Sequence, residues 1–225
     1  GTLKVSAKAR DVFDLDSIVI YDEDGGSYYM SRDDISGASS FDINFSTLNQ
    51  NLVAYYTFDS NSNDSSGNGY NLSVGSGSSV SYVSGRNGKQ AASFTSTSLT
   101  NNSLPAVLGS GSSGAKSFSA WVNPQNMNSN VAGVIGYGTM GLHNQFMLVG
   151  NLGYAQWGFW GYGDDIASGV SPINGTWAHL AVTYDGVNTV KLYLNGTVIG
   201  TKTVALNTTA SNLTIGASLY DGSGY

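Results

Sequence analysis

At 225 residues the chain has room for one large β domain, alone or with an appendage, and for a sizeable buried core. Thirty glycines, abundant Ser, Thr and Asn and only 11% charged residues argue against long helices and for strands joined by turns. With no cysteine, no apolar run near the roughly 18 residues of a membrane helix and a net charge of −6, the chain has no disulfide framework and no signal for helical membrane insertion or a nucleic-acid surface.

In chain order, residues 2–10 alternate strictly, with Leu3, Val5, Ala7 and Ala9 on one face and Lys4, Ser6, Lys8 and Arg10 on the other, which predicts a strand with one wet face. Residues 16–31 read as two β runs joined by the acidic loop Asp22-Glu23-Asp24-Gly25-Gly26, a hairpin signature, and a further β run follows at 39–46. The acidic loop lacks the spaced ligands and distal glutamate of an EF-hand and reads as a solvated turn. The charge balance changes near residue 50: residues 1–50 carry nine acids against four bases, residues 51–225 six against five. A domain boundary is expected there, with 1–50 as a small N-terminal β appendage. The chain begins at Gly1 without a signal-peptide pattern, so a processed or excised segment is expected.

From Leu52 onward, apolar runs of five to eight residues are separated by Gly/Ser clusters at 75–81 and 109–117, the spacing of a β-sandwich or jelly roll. The clearest hairpin covers 177–199: Val190, Leu192 and Leu194 share one face, and Asn195-Gly196 between apolar runs is a strong turn signal.

Four segments resemble the laminin-G-like domains of the concanavalin-A-like lectin/glucanase superfamily, particularly bacterial and viral members. They are residues 52–71, which look like the family's opening strand followed by its Asp-x-Ser-Gly-Asn-Gly loop, here Asp64 to Gly69; KQAASF at 89–94; FSAWVNP at 118–124; and TWAHLAVTYDG with VKLYLNGTVIG at 176–200. The resemblance spans about 51–225 and implies an all-β, two-sheet antiparallel sandwich. Members usually continue beyond the equivalent of 212–225 into a closing strand with an acidic pair. The resemblance therefore implies either that the chain continues or that a partner supplies that strand.

The superfamily's glucanases use paired carboxylates on one strand. Glu23 is the chain's one glutamate and lies outside the resemblance, so that pair cannot be assembled and a non-catalytic role is expected. Asp164 and Asp165, if on a strand, point to opposite faces. The two histidines are too few for a metal cluster; His179 falls in a strand as a structural residue and His143 reads as a loop residue. The Gly-x-Gly-x-x-Gly at 109–114 has neither a following helix nor the distal acid of a dinucleotide site. Calcium is the cofactor to weigh, as a structural ion: Asp59, Asn63, Asp64 and Asn68 offer oxygens, and relatives hold calcium near this loop, although an Asx-turn at Asp64 is the competing reading.

For binding, sugar rings present C–H faces to aromatic side chains while amides and carboxylates take the hydroxyls. The segment 154–165 has that composition: on a regular strand Tyr154, Gln156, Trp160 and Tyr162 share one face, Trp157 and Phe159 the other, with Asp164 beyond; either one set is displayed or both are core. Trp121 and Trp177 are expected to pack in core strands. The expected role is glycan binding or adhesion by a secreted, cell-surface or virion-exterior protein. The rival is a structural subunit of a larger assembly docking through residues 1–50.

Overall fold

A computed structural model describes strand residues 2–5, 17–21, 27–31 and 41–44, and then residues 51–74, 79–95, 97–104, 108, 110–112, 114–125, 132–151 and 156–216. Residues 6–10, the loop 22–26 with Glu23, Tyr154 and the terminal 217–225 lie outside the described residues. The chain divides into two compact units, Gly1–Leu52 with Gly85–Lys89, and Val53–Ser84 with Gln90–Tyr225.

In the first unit β1 (Thr2–Val5) pairs antiparallel with β4 (Phe41–Asn44), and β2 (Ser17–Tyr21) with β3 (Ser27–Ser31). The second pair is the expected hairpin, in the register Ser17 opposite Ser31.

The second unit is a two-sheet antiparallel sandwich. Its strands are β5 (Ser73–Val74), β6 (Ser81–Ser84), β7 (Gln90–Ser93), β8 (Leu99–Asn101), β9 (Lys116–Val122), β10 (Ala132–Tyr137), β11 (Phe146–Asn151), β12 (Gly158–Trp160), β13 (Ile166–Ala167), β14 (Ala178–Tyr184), β15 (Thr189–Leu194), β16 (Thr197–Thr203) and β17 (Leu213–Ile215). One sheet runs β13-β12-β11-β10-β17-β8-β5 and the other β16-β15-β14-β9, while β6 and β7 form a separate hairpin.

The main core lies between the two large sheets because each strand offers an apolar row at period two. Phe118, Leu180, Val182, Tyr184, Val190 and Leu192 come from the four-stranded sheet and meet Tyr137, Phe146, Leu148, Phe159, Leu213 and Ile215 of the seven-stranded one. Phe146 packs edge-on to Phe118 at 5.2 Å and lies 5.1 Å from Phe159. The β15–β16 turn has Asn195 at φ 48° and Gly196 at φ 80°, the left-handed pair that a two-residue primed turn requires.

The expected opening strand is not a ladder strand: none is assigned between residues 51 and 72. Side chains of the following loop occupy its backbone groups instead. Tyr55 N donates to Asp64 Oδ1 at 2.9 Å, Asn68 Nδ2 donates to Val53 O at 3.0 Å, and Phe58 and Ser60 take positive φ.

Candidate functional site

The antiparallel pairing of β10 with β11 and of β12 with β13 brings two loops, 138–145 and 161–165, to one edge of the seven-stranded sheet. Asp164 joins them. Its Oδ2 lies 2.7 Å from His143 Nδ1, and its carboxylate also accepts from Ala205 N at 3.2 Å. A carboxylate only accepts, so Nδ1 of His143 carries the proton it donates. The His143 side chain is 34% exposed, and its Nε2 makes no hydrogen bond among the described residues. The backbone completes the brace: His143 N donates to Tyr162 O at 2.9 Å and Asn207 N to His143 O at 2.8 Å. Lys202 Nζ donates to Asp165 O at 3.1 Å, and Gly161 N to Asp165 Oδ1 at 2.9 Å. Met140 and Leu142 stand exposed beside this framework, and Leu142 lies over Gly163.

This arrangement corrects three expectations. His143 is not an ordinary loop residue, since it is anchored by Asp164 with φ at 64°. Asp164 is not displayed to ligand: it is 5% exposed and committed to His143 and Ala205. Asp164 and Asp165 sit in a loop, so strand alternation does not orient them.

Residues 154–165 do not form one regular strand. The ladder covers only β12, Gln156 precedes it, and Tyr162 has φ 53°. From Trp157 through β12 the alternation holds: Trp157 and Phe159 enter the main core, while Trp160 joins Met147 and Val149 in a second buried cluster. Tyr162 stacks on Trp160 with centroids 6.2 Å apart and planes within 6°, and packs against that cluster. Gln156 Oε1 accepts from Gly169 N at 2.7 Å. Trp160 and Tyr162 are thus brought together, Gln156 serves a neighbouring loop, and Asp164 belongs to the brace.

A second aromatic surface was missed. Along β9 and β14 the core takes Phe118, Val122, Ala178, Leu180, Val182 and Tyr184. The alternate residues Ser117, Ser119, Trp121, His179, Ala181 and Thr183 therefore face away from it. Trp121 lies opposite His179 in the ladder, their rings 5.2 Å apart. In the next row Ser119, Ala181, Tyr193 and Val198 run across four strands, and in the next Ser117, Thr183, Lys191 and Thr201. Ser119 and Ala181 thus floor a patch bordered by Trp121 and His179 in the row before and by Tyr193 and Val198 on the neighbouring strands of the same row. Trp121 is not the core residue expected, and half-buried Trp177 also lies outside the core cluster. Their signal was available: period two in KSFSAWV puts Trp121 with two serines, not with Phe118.

In the loop expected to hold calcium, Asp64 is the organiser. Oδ1 accepts from Tyr55 N and Ser66 N, both at 2.9 Å; Oδ2 accepts from Ser66 Oγ at 2.8 Å and Tyr70 N at 3.0 Å. These bonds hold its carboxyl below the ordinary value of 3.8 despite the opposing cost of burial. Asp59 Oδ1 accepts from Gln90 N at 3.1 Å, Asn63 N donates to Asn61 Oδ1, and Asn68 Nδ2 is committed to Val53 O. A carboxylate offers about four lone-pair positions. All four at Asp64 are used, so as placed it fits a loop clamp and not a cation ligand. Among the described residues no group of three or more His, Asp or Glu could hold a metal ion.

A family model described as the concanavalin A-like lectin/glucanases superfamily matches residues 100–225. No curated protein matches the chain. Among solved structures, domain 4 of AbnA, a GH43 extracellular arabinanase from Geobacillus stearothermophilus solved with arabinotriose, superposes with a TM-score of 0.59 at 21% identity, covering 76% of this chain and 85% of that one. The binding domain of Paraclostridial Mosquitocidal Protein 1 superposes at 0.55 and 19% identity over 68% of this chain and 41% of its own length. Both likenesses are likenesses of fold.

Proposed function

Because this chain belongs to the concanavalin A-like lectin/glucanase superfamily, we propose that it is a non-catalytic carbohydrate-binding module of an exterior protein. One observation carries the reading: the outer face of the four-stranded sheet presents Trp121, His179 and Tyr193 around a floor of Ser119 and Ala181. Flat aromatic groups spaced over small residues suit the C–H faces of a glycan, and the neighbouring Ser117, Thr183 and Thr201 supply hydroxyl partners. That an extracellular arabinanase domain solved with arabinotriose shares the fold supports a sugar ligand. The loop edge is a second surface for the same function, with His143 Nε2 as a polar contact beside Leu142 and with half-buried Tyr162, which stacks on the buried Trp160.

A glycan array with soluble monomeric protein, run with and without chelator, tests the reading. On the glycan it identifies, Trp121→Ala is expected to weaken binding at least about tenfold, the range of a stacked aromatic anchor. Tyr162→Ala tests the loop edge in parallel. Binding of no glycan at all removes the proposal; loss through Tyr162 but not Trp121 moves the site to the loop edge.

Structural assembly is the alternative, and one observation favours it. Among its described residues the first unit contains two two-stranded sheets, a form marginal alone and open to further pairing. Concentration-dependent polymerisation that stops when residues 1–50 are removed would select it.

A further inference from the structure

Independently of glycan binding, one end of the sandwich buries a cation that no polar group of the described residues answers. Lys116 opens β9 on the core-facing side, next but one to Phe118, and is 7% exposed. Among the described residues its Nζ has no hydrogen-bond partner and pairs with no carboxylate. Its nearest compensation is the Tyr137 and Phe146 rings, each 5.8 Å from Nζ. That is close to the limit of about 6 Å for a cation–π contact, which returns less than an ammonium loses on leaving water. Burial pushes its ammonium below the usual lysine range.

Two more orphaned side chains belong to adjoining backbone. Thr208 Oγ1 and both amide atoms of Gln145 are buried without a partner. Gly111 N donates to Thr208 O at 2.7 Å, tying residue 208 to the segment that leads into Lys116. Thr209 N donates to Asn144 O at 3.2 Å, laying 207–209 beside 143–145, and Gln145 precedes the Phe146 that faces Lys116. The ammonium can only donate, the Thr208 hydroxyl and the Gln145 NH2 can donate, and no carboxylate is among the unpartnered groups. That chemistry is suited to an anion and not to a metal cation.

We propose that Lys116 is the centre of an internal site for a small monovalent inorganic anion, with the Thr208 hydroxyl as a second donor. The anion neutralises the ammonium and keeps it charged inside the sandwich.

The test is thermal unfolding of the full chain in sodium chloride or bromide against sodium gluconate at equal ionic strength, gluconate being too large to enter. Once the site begins to saturate, Tm is expected to rise by about 3–5 °C per tenfold increase in chloride and to stay flat in gluconate. Lys116→Met abolishes the difference and Thr208→Val reduces it. Should Lys116→Met not fold, Thr208→Val and an anomalous bromide peak within hydrogen-bonding reach of Lys116 Nζ decide the matter. Equal Tm in the two salts, a chloride effect that survives in Lys116→Met, or no bromide peak overturns the proposal and leaves a neutral buried amine.

Discussion

Asp64→Asn tests the reading of the 59–71 loop as a clamp. The amide retains one oxygen but turns an NH2 toward Ser66 Oγ and Tyr70 N, and only the hydroxyl can rotate to adapt. It also removes the charge from all four bonds. Hydrogen bonds to a charged group contribute about 1 kcal/mol more than neutral ones, and solvent screening at a half-buried loop removes about half of that, leaving a loss of about 2 kcal/mol. Urea unfolding at about pH 7 should show this as a midpoint lowered by about 0.5–1 M. The sign with pH follows from the depressed carboxyl of the folded state. Its stabilisation is fully present above the unfolded value near 3.8 and is lost as pH falls through the lower folded value. The gap between the two proteins should therefore be constant above about pH 5 and close below about pH 4. No gap at neutral pH, or one that persists undiminished to about pH 2, would falsify the clamp. So would calcium at about 1–10 mM stabilising the native chain and not the variant, since that places a cation on Asp64.

Two further changes probe the framework. Gly138, at φ 96°, would drive any Cβ into the Asn144 carbonyl, so Gly138→Ala should cost at least about 2–3 kcal/mol by calorimetry, whereas an unchanged Tm would mean that the 138–145 loop is not held as described. Asp185 is fully exposed, yet its Oδ1 accepts from the amides of Val187, Asn188 and Thr189, and these bonds pull its carboxyl down to about 2. Asp185→Ala should speed hydrogen exchange at those amides, and in the native protein acidification from 3.8 toward about 2 should loosen the same turn. Equal exchange in both proteins would show the turn to be held without the carboxylate.

The hairpin from β14 to β16 was legible because its determinants are local: an Asn-Gly pair able to take two left-handed residues, between runs whose apolar residues recur at period two. The split of Trp157 and Phe159 from Trp160 was legible for the same reason. The Asp64 loop showed its Asx-turn composition, but the sequence does not reveal that Asp64 also takes the amide of Tyr55 and so prevents residues 52–58 from pairing as a strand.

The all-β class, the strand periodicity and the turn chemistry are written locally, since each depends on residues within a few positions of one another. That Asp164 reaches back 21 residues to orient His143, that Trp121 turns outward to His179, and that Lys116 is buried beside the Tyr137 and Phe146 rings follow from the three-dimensional packing. Those outcomes depend on which strands become neighbours and which face of each is covered. Alternation divides a strand into two faces, but the sheet packed against it chooses the one that is buried.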